Sequence, residues 1–252
     1  MKTLFFASAA AAALIAAPAF AQETTGSVGL SYQHTETKFS EYNDLKSEAI
    51  AIDGVVATPI FTDWTVTAQA ATTYSEGDYM SSETNLSGGV ALTKVIGSYR
   101  VGGFYSAQET YNTSLSTFGA VAQKYFDRAT VSGVASYGTV FDLDIYSVKA
   151  DVAYYPTTAL RLNAGLGYQT IEPNWGSSAD TISADIGAEY QIASTPYTVF
   201  GAYNYADSND MRLEENSIKV GVRYNFGGTL QSRERAGTRI DMNSQIRGIY
   251  FN

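Results

Sequence analysis

The sequence predicts an all-β protein, an antiparallel up-and-down barrel of about twelve strands that crosses a membrane, with a cleaved leader before it and a tail after it. Three observations carry that prediction. Apolar and polar side chains alternate along nearly the whole chain; the connections between alternating stretches are short and long in turn; and aromatic residues gather near both ends of the stretches.

The leader comes first. Lys2 precedes an apolar run from Leu4 to about Ala17, then Pro18, then Ala19-Phe20-Ala21, with small residues at both positions a signal peptidase reads. Residues 1–21 are therefore read as a signal peptide, cut between Ala21 and Gln22. A membrane-anchor helix would need about 18 apolar residues without a breaker, and Pro18 interrupts this run. With 19 Tyr, 22 Gly, five Pro and no Cys, the composition is that of a Tyr- and Gly-rich β protein without a disulfide framework. No linker divides residues 22–226, which are read as one domain.

Alternation marks twelve candidate strands: Thr25–His34, Ser47–Ala57, Trp64–Ser75, Glu83–Thr93, Ser98–Gln108, Leu115–Tyr125, Ala129–Gly138, Leu143–Tyr155, Ala159–Ile171, Asp180–Ile192, Pro196–Ala206 and Asn216–Phe226. Each has the roughly 9–11 residues, or slightly more, that a tilted strand needs to cross hydrocarbon. In the last one Val220, Val222, Tyr224 and Phe226 form one face, and Lys219, Gly221, Arg223 and Asn225 the other. In the second and sixth stretches the phase is ambiguous. In the eighth, outward Val148, Val152 and Tyr154 put Asp144 on the lipid side unless a bulge near Tyr146 shifts the phase.

Five short connections alternate with six longer, more polar ones, the count of an even-stranded barrel whose termini share the side of the short turns. The longest, Thr35–Lys46, is placed to lean over the mouth. Trp64, Tyr99, Tyr125, Tyr154, Tyr197 and Phe226 lie next to short turns. Tyr32, Tyr74, Tyr105, Tyr137, Tyr168, Tyr203 and Tyr205 lie near the long loops. Two girdles result, as expected of rings with one apolar end and one end that seeks a hydrogen bond at headgroup level.

The opposite face would line a lumen. Its charged members include Arg100, Lys149, Asp151, Arg161, Asp185, Glu189, Lys219 and Arg223; Arg100, Asp151, Arg161, Glu189 and Arg223 fall toward the short-turn half. Such residues either form a constriction whose transverse field filters ions or pair to satisfy one another in a narrow interior. Lumen size is bracketed only loosely, because barrels of about eight strands fill their interiors and those of about 16–18 leave a water channel. The expectation is a narrow water-filled path.

Of 16 Lys and Arg, 11 lie in residues 22–226; of 25 Asp and Glu, 23 do, so the barrel body carries −12. Much of it sits in long loops, which favours cations at that mouth. Acidic loops could equally serve solubility or bind lipopolysaccharide through divalent ions. The Asp207 to Asp210 stretch lacks the spacing and glycine of a calcium loop, so no metal site is assigned. The one histidine, His34, stands beside Glu36 with no nucleophile motif. No catalytic residue, cofactor fingerprint or basic nucleic-acid patch is present.

The leader, the alternating strands and the ending Val-Gly-Val-Arg-Tyr-Asn-Phe-Gly-Gly resemble small porin-like outer-membrane β-barrel proteins of Gram-negative bacteria. The resemblance covers residues 1–226 as a pattern, with its one sharp motif at 219–226. It implies contact with outer-membrane lipid and lipopolysaccharide and passive passage of small hydrophilic solutes or ions. It also implies recognition of the last strand by the barrel assembly machinery, with Gly221, Tyr224 and Phe226 as the signal. Self-association into a homo-oligomer is open. The departure is at the end, where residues 227–252 follow Phe226 with net charge +2. They could hang in the periplasm, touch peptidoglycan, or turn into the lumen toward acidic side chains; a flexible periplasmic tail is the expectation.

Overall fold

A computed structural model describes residues 24–242 apart from 40–43, 79, 111–112 and 175. The leader and its Ala21/Gln22 junction lie outside the described residues. Twelve strands run β1 Thr25–Phe39, β2 Leu45–Phe61, β3 Trp64–Gly77, β4 Met80–Ile96, β5 Tyr99–Thr110, β6 Thr113–Tyr125, β7 Ala129–Val140, β8 Leu143–Thr157, β9 Leu160–Pro173, β10 Ala179–Gln191, β11 Tyr197–Ser208 and β12 Leu213–Phe226. Each pairs antiparallel with its sequence neighbours, and β1 closes on β12 with Gly26 opposite Phe226, so no edge is left unpaired.

The strands exceed the predicted stretches mainly at the long-loop end. There residues 35–39 of β1, polar up to Phe39, pair with β12, and Thr37 faces Leu45 of β2. Alternation of apolar residues is lost where strands leave hydrocarbon, although the hydrogen-bond ladder continues. Within the expected loop Thr35–Lys46, residues 35–39 and 45–46 continue β1 and β2 as strand, with Lys46 near Glu36 at 3.9 Å and Lys38 near Glu214 at 3.3 Å, while residues 40–43 lie outside the described residues.

The exterior is apolar. Val28, Leu30, Ile50, Ile52, Val90, Leu92, Leu166, Ile182, Ile186, Val220 and Val222 are all exposed, Leu166 by 67%. In water such rows would be a severe cost; in lipid they are the solvated face. Ile50 and Ile52 outward put Asp53 of β2 inward, and exposed Phe118 puts Leu115, Val121 and Gln123 of β6 inward, which resolves both ambiguous phases. β8 has unbroken register from Leu143 to Tyr154. No bulge occurs at Tyr146, so Asp144 is on the outer face, where it accepts a 2.6 Å hydrogen bond from Tyr137 at the rim.

Two glycines are set by ring packing. A Cβ on Gly221 would lie 2.5 Å from the Phe200 ring, and one on Gly119 would lie 2.3 Å from the Phe104 ring. With the carbonyls of Leu30 and Ala135 also within 2.5 and 2.8 Å of those positions, only glycine leaves room there.

After β12 the chain reverses. Gly227 and Gly228 have φ of 83° and 108°, a left-handed pair that ends the strand. A short helix, α1 Leu230–Arg233, follows with Thr229 as its N-cap, its side chain accepting from Ser232 N. A wider helical turn, Glu234–Thr238, contains Gly237 at φ 108°. The chain then continues without regular secondary structure through Met242. Residues 230–242 lie inside the barrel against its wall, where a periplasmic position was expected; residues 243–252 lie outside the described residues.

Candidate functional site: the lumen and the segment within it

The wall meets the tail with two different surfaces. Ala91 of β4, Phe104 of β5, Val121 of β6 and Val134 of β7 form an apolar patch on which Ile240 and Met242 are buried, Met242 completely. Lower down, Ala153 and Tyr155 of β8 cover Leu230. Where the tail is not regular helix its carbonyls need donors, because an unpaired buried carbonyl is costly. The wall supplies them. Thr67 Oγ1 donates to Gly237 O at 3.0 Å, Arg100 Nη2 to Arg235 O at 2.6 Å, Ser106 Oγ to Met242 O at 2.7 Å, and Gln123 Nε2 to Arg239 O at 3.4 Å. Outside this strip Gln231 and Arg235 donate to the carbonyls of the β6–β7 turn, at Asp127 and Phe126.

Strands β8, β9, β10, β12 and β2 carry most of the lumenal charges. Arg161 donates from Nε to Glu234 at 3.1 Å and from Nη1 to Asn163 at 2.7 Å, and lies 4.0 Å from Asp151. Asn163 donates to Asp185 at 3.3 Å, and Lys149 joins Asp185 at 2.9 Å and Asp241 at 3.1 Å. A second cluster centres on Glu189, which is 2% exposed. It accepts from Thr198 at 2.7 Å, pairs with Arg223 at 3.4 Å and is bonded by Arg239 of the tail. Arg223 also reaches Asp53 at 3.5 Å and covers the Phe200 ring at 4.4 Å. Within these two clusters each charge thus meets an opposite one, the condition under which burial is tolerated. A space of about 310 Å³ remains between this wall and Thr238–Asp241.

Of the sequence candidates, Asp151 and Arg161 come together, as do Glu189 and Arg223, while Asp185 joins Lys149. Arg100 stands apart from these clusters. It is 2% exposed, donating to Thr93 at 2.6 Å, Tyr125 at 2.9 Å and the Arg235 carbonyl. Lys219 is half-buried on β12 between Gln33 and Ala202. Sequence reasoning missed Asp53, Tyr155, Glu234, Arg239 and Asp241. Asp53 lay in a stretch of ambiguous phase, and the other signal available was the tail's mixture of charges opposite those of the wall.

Outside, Trp64, Tyr99, Tyr154 and Tyr197 are exposed near the short turns, and Tyr32, Tyr74, Tyr168 and Tyr203 at the other end. Lys94 caps Trp64 at 5.7 Å and Lys124 caps Tyr99 at 5.2 Å, the pattern of cations snorkelling at an interface. Tyr105 is half-buried against Phe118, ring centres 4.9 Å apart, and the Phe226 ring lies beside Gly26. Tyr125 departs from the expected girdle: it shares the inward face of Gln123, to which its hydroxyl donates at 3.0 Å.

A closed antiparallel cylinder with an apolar belt, paired aromatic girdles and a charged interior defines a transmembrane β-barrel of the outer-membrane type. Solved structures agree on that fold. An outer-membrane channel from Pseudomonas putida F1 is 12% identical with TM-score 0.62, covering 81% of this chain and 95% of that one. The translocator domain of the autotransporter NalP from Neisseria meningitidis is 15% identical with TM-score 0.55, covering 87% and 97%. The KdgM porin, solved with disordered oligogalacturonate, is 9% identical with TM-score 0.50, covering 79% and 99%. No protein-family model and no curated protein matches the sequence. The chain has the fold of a porin-like outer-membrane β-barrel, the fold of these Gram-negative outer-membrane proteins.

Proposed function

We propose that this barrel is a narrow, non-enzymatic channel for passive passage of ions and small hydrophilic solutes, weakly favouring cations, in which residues 229–242 restrict the path. The observation that carries it is the polar, ion-paired lumen with about 310 Å³ of space beside the inserted segment, because a barrel that merely needed filling would be served by apolar side chains throughout. The body's charge of −12 and the acidic outer loops supply the cation preference. Arg100, Asp151, Arg161, Asp185, Glu189, Lys219 and Arg223 are the proposed lumenal determinants. Tyr224 and Phe226, with Gly221, are proposed as what the assembly machinery reads in β12.

A second reading, a closed barrel working through its outer loops, draws on the filling of the lumen by the tail. Planar-bilayer recordings of the full chain and of a chain ending at Gly227 separate the two. The channel reading expects small steps from the full chain and larger ones from the shortened chain. Silence from both folded proteins overturns it in favour of the closed barrel. Unchanged ion selectivity in Glu189→Gln and Arg223→Gln removes those two from the filter.

A further inference from the structure

The tail contributes one side chain that behaves as a ligand toward the wall. Glu234 is 2% exposed, and a single carboxylate oxygen receives both the Tyr155 hydroxyl and, at 3.1 Å, the Arg161 Nε. Its other oxygen is buried without a hydrogen-bond partner among the described residues. The guanidinium is held by the wall itself, since Arg161 is braced by Asn163 at 2.7 Å and lies 4.0 Å from Asp151; Tyr155, whose backbone N–H donates to Arg128 O at 2.8 Å, also packs against Leu230 of the tail. The wall therefore presents a braced guanidinium with a phenol beside it, both directed at one carboxylate oxygen, and a carboxylate fills that point imperfectly. A guanidinium–carboxylate bond is among the stronger contacts available to a small solute. The unmet oxygen means that the tail's carboxylate leaves part of its bonding capacity unused.

We propose that Arg161 and Tyr155 form a carboxylate-binding site in the lumen, occupied in this structure by the chain's own Glu234, and that small carboxylate solutes compete for it and loosen the tail. This deepens the channel reading by naming a solute class, and rests on it. The adjoining space of about 310 Å³ is lined by Arg161, Asn163, Asp151 and Arg223 and can admit a molecule of a few carbon atoms. Acidic outer loops slow the arrival of an anion without altering the contacts it makes once inside.

The test reads the tail rather than the current. The full-length protein, folded in detergent micelles, is exposed to trypsin, and cleavage after Arg233, Arg235 and Arg239 is followed by mass spectrometry in succinate or in sodium chloride at matched ionic strength. Heat-modified gel mobility confirms that each variant remains a barrel. Succinate should accelerate tail cleavage in a saturable way and chloride should not. Glu234→Gln should raise the rate without succinate by about tenfold, the weight of one charge-assisted hydrogen bond. Arg161→Gln should abolish the succinate response, and Tyr155→Phe, which keeps the ring, should weaken it several-fold if the arginine variant fails to fold. Equal rates in succinate and chloride, or a tail cut at once in both, overturns the proposal. Because no current is measured, a silent barrel with a succinate-sensitive tail would sink the channel reading alone, and a conducting barrel with an insensitive tail would sink the site alone.

Discussion

The two halves of the lumen differ in kind. The wall of β4–β7 offers Ala91, Phe104, Val121 and Val134, whereas the wall of β8–β12 and β2 offers Lys149, Asp151, Arg161, Asp185, Glu189, Arg223 and Asp53. The tail matches both, with Ile240 and Met242 against the first, and Glu234, Arg239 and Asp241 toward the second. The apolar half gives binding free energy without direction; the charged half gives register, since opposite charges misplaced by one residue would leave buried ions unpaired. An inserted segment needs both to adopt one position.

Breaking the charged half should have the largest effect. Glu189→Gln leaves Arg223 and Arg239 facing each other with no carboxylate between them, and Thr198 with a weaker acceptor. Losing one member of a buried pair costs about 3–5 kcal/mol. Urea unfolding of the variant barrel should show this loss, together with a tail more open to protease. A midpoint equal to that of the parent would mean that the Glu189 cluster is solvated and holds nothing.

Breaking the apolar half should act on the tail alone. Met242→Ala empties a fully buried site between the β4–β7 wall and the segment, and large-to-small changes of this kind cost about 2–3 kcal/mol where the surroundings can partly collapse. Trypsin release of the tail should rise steeply while the barrel's unfolding midpoint stays put. A fall in both would make the tail part of the barrel's own cooperative core, and the contrast between the halves would lose its meaning.

The same contrast explains what was legible beforehand. Alternation reveals a strand when lipid lies on one side and water on the other. It therefore located β9, β10 and β12, whose inward residues are Arg161, Asn163, Asp185, Glu189, Lys219 and Arg223. It faltered at β6, where Leu115 and Val121 face inward to meet protein instead of water. At Val121 the ambiguity was a trace of the inserted segment, whose Ile240 and Met242 it meets, and at Leu115 a trace of the apolar cluster with Val140, Ile145 and Ile171. The segment itself carries no period, since its backbone is satisfied by Thr67, Arg100, Ser106 and Gln123 of distant strands. Tyr125 misled for a related reason: its position beside a short turn suits a girdle, but its phase turns it toward Arg100. The Gly227-Gly228 pair was visible, yet nothing local says which way a left-handed turn will send the chain.

A smaller effect is expected where the two walls meet. Gly237 has φ 108°, and a Cβ there would lie 3.1 Å from Thr67 Oγ1 and 3.2 Å from Arg100 Nη1. Gly237→Ala should weaken tail docking by about 1–2 kcal/mol through backbone strain, with the Thr67 bond to the Gly237 carbonyl lost first. Protease release several-fold faster than the parent, and slower than for Met242→Ala, would place the kink second to the apolar contact.

The least effect belongs to a pair outside this comparison. Lys38 and Glu214 meet at 3.3 Å across the β1–β12 seam, with side chains 47% and 39% exposed. Exposed ions give up little hydration and are screened by salt, so the geometry of the pair says little about its worth. Lys38→Ala should leave the unfolding midpoint and tail cleavage unchanged within error at moderate salt. If it instead approached the effect of Glu189→Gln, then burial would not be what separates an ion pair that holds the lumen segment from one that decorates the rim.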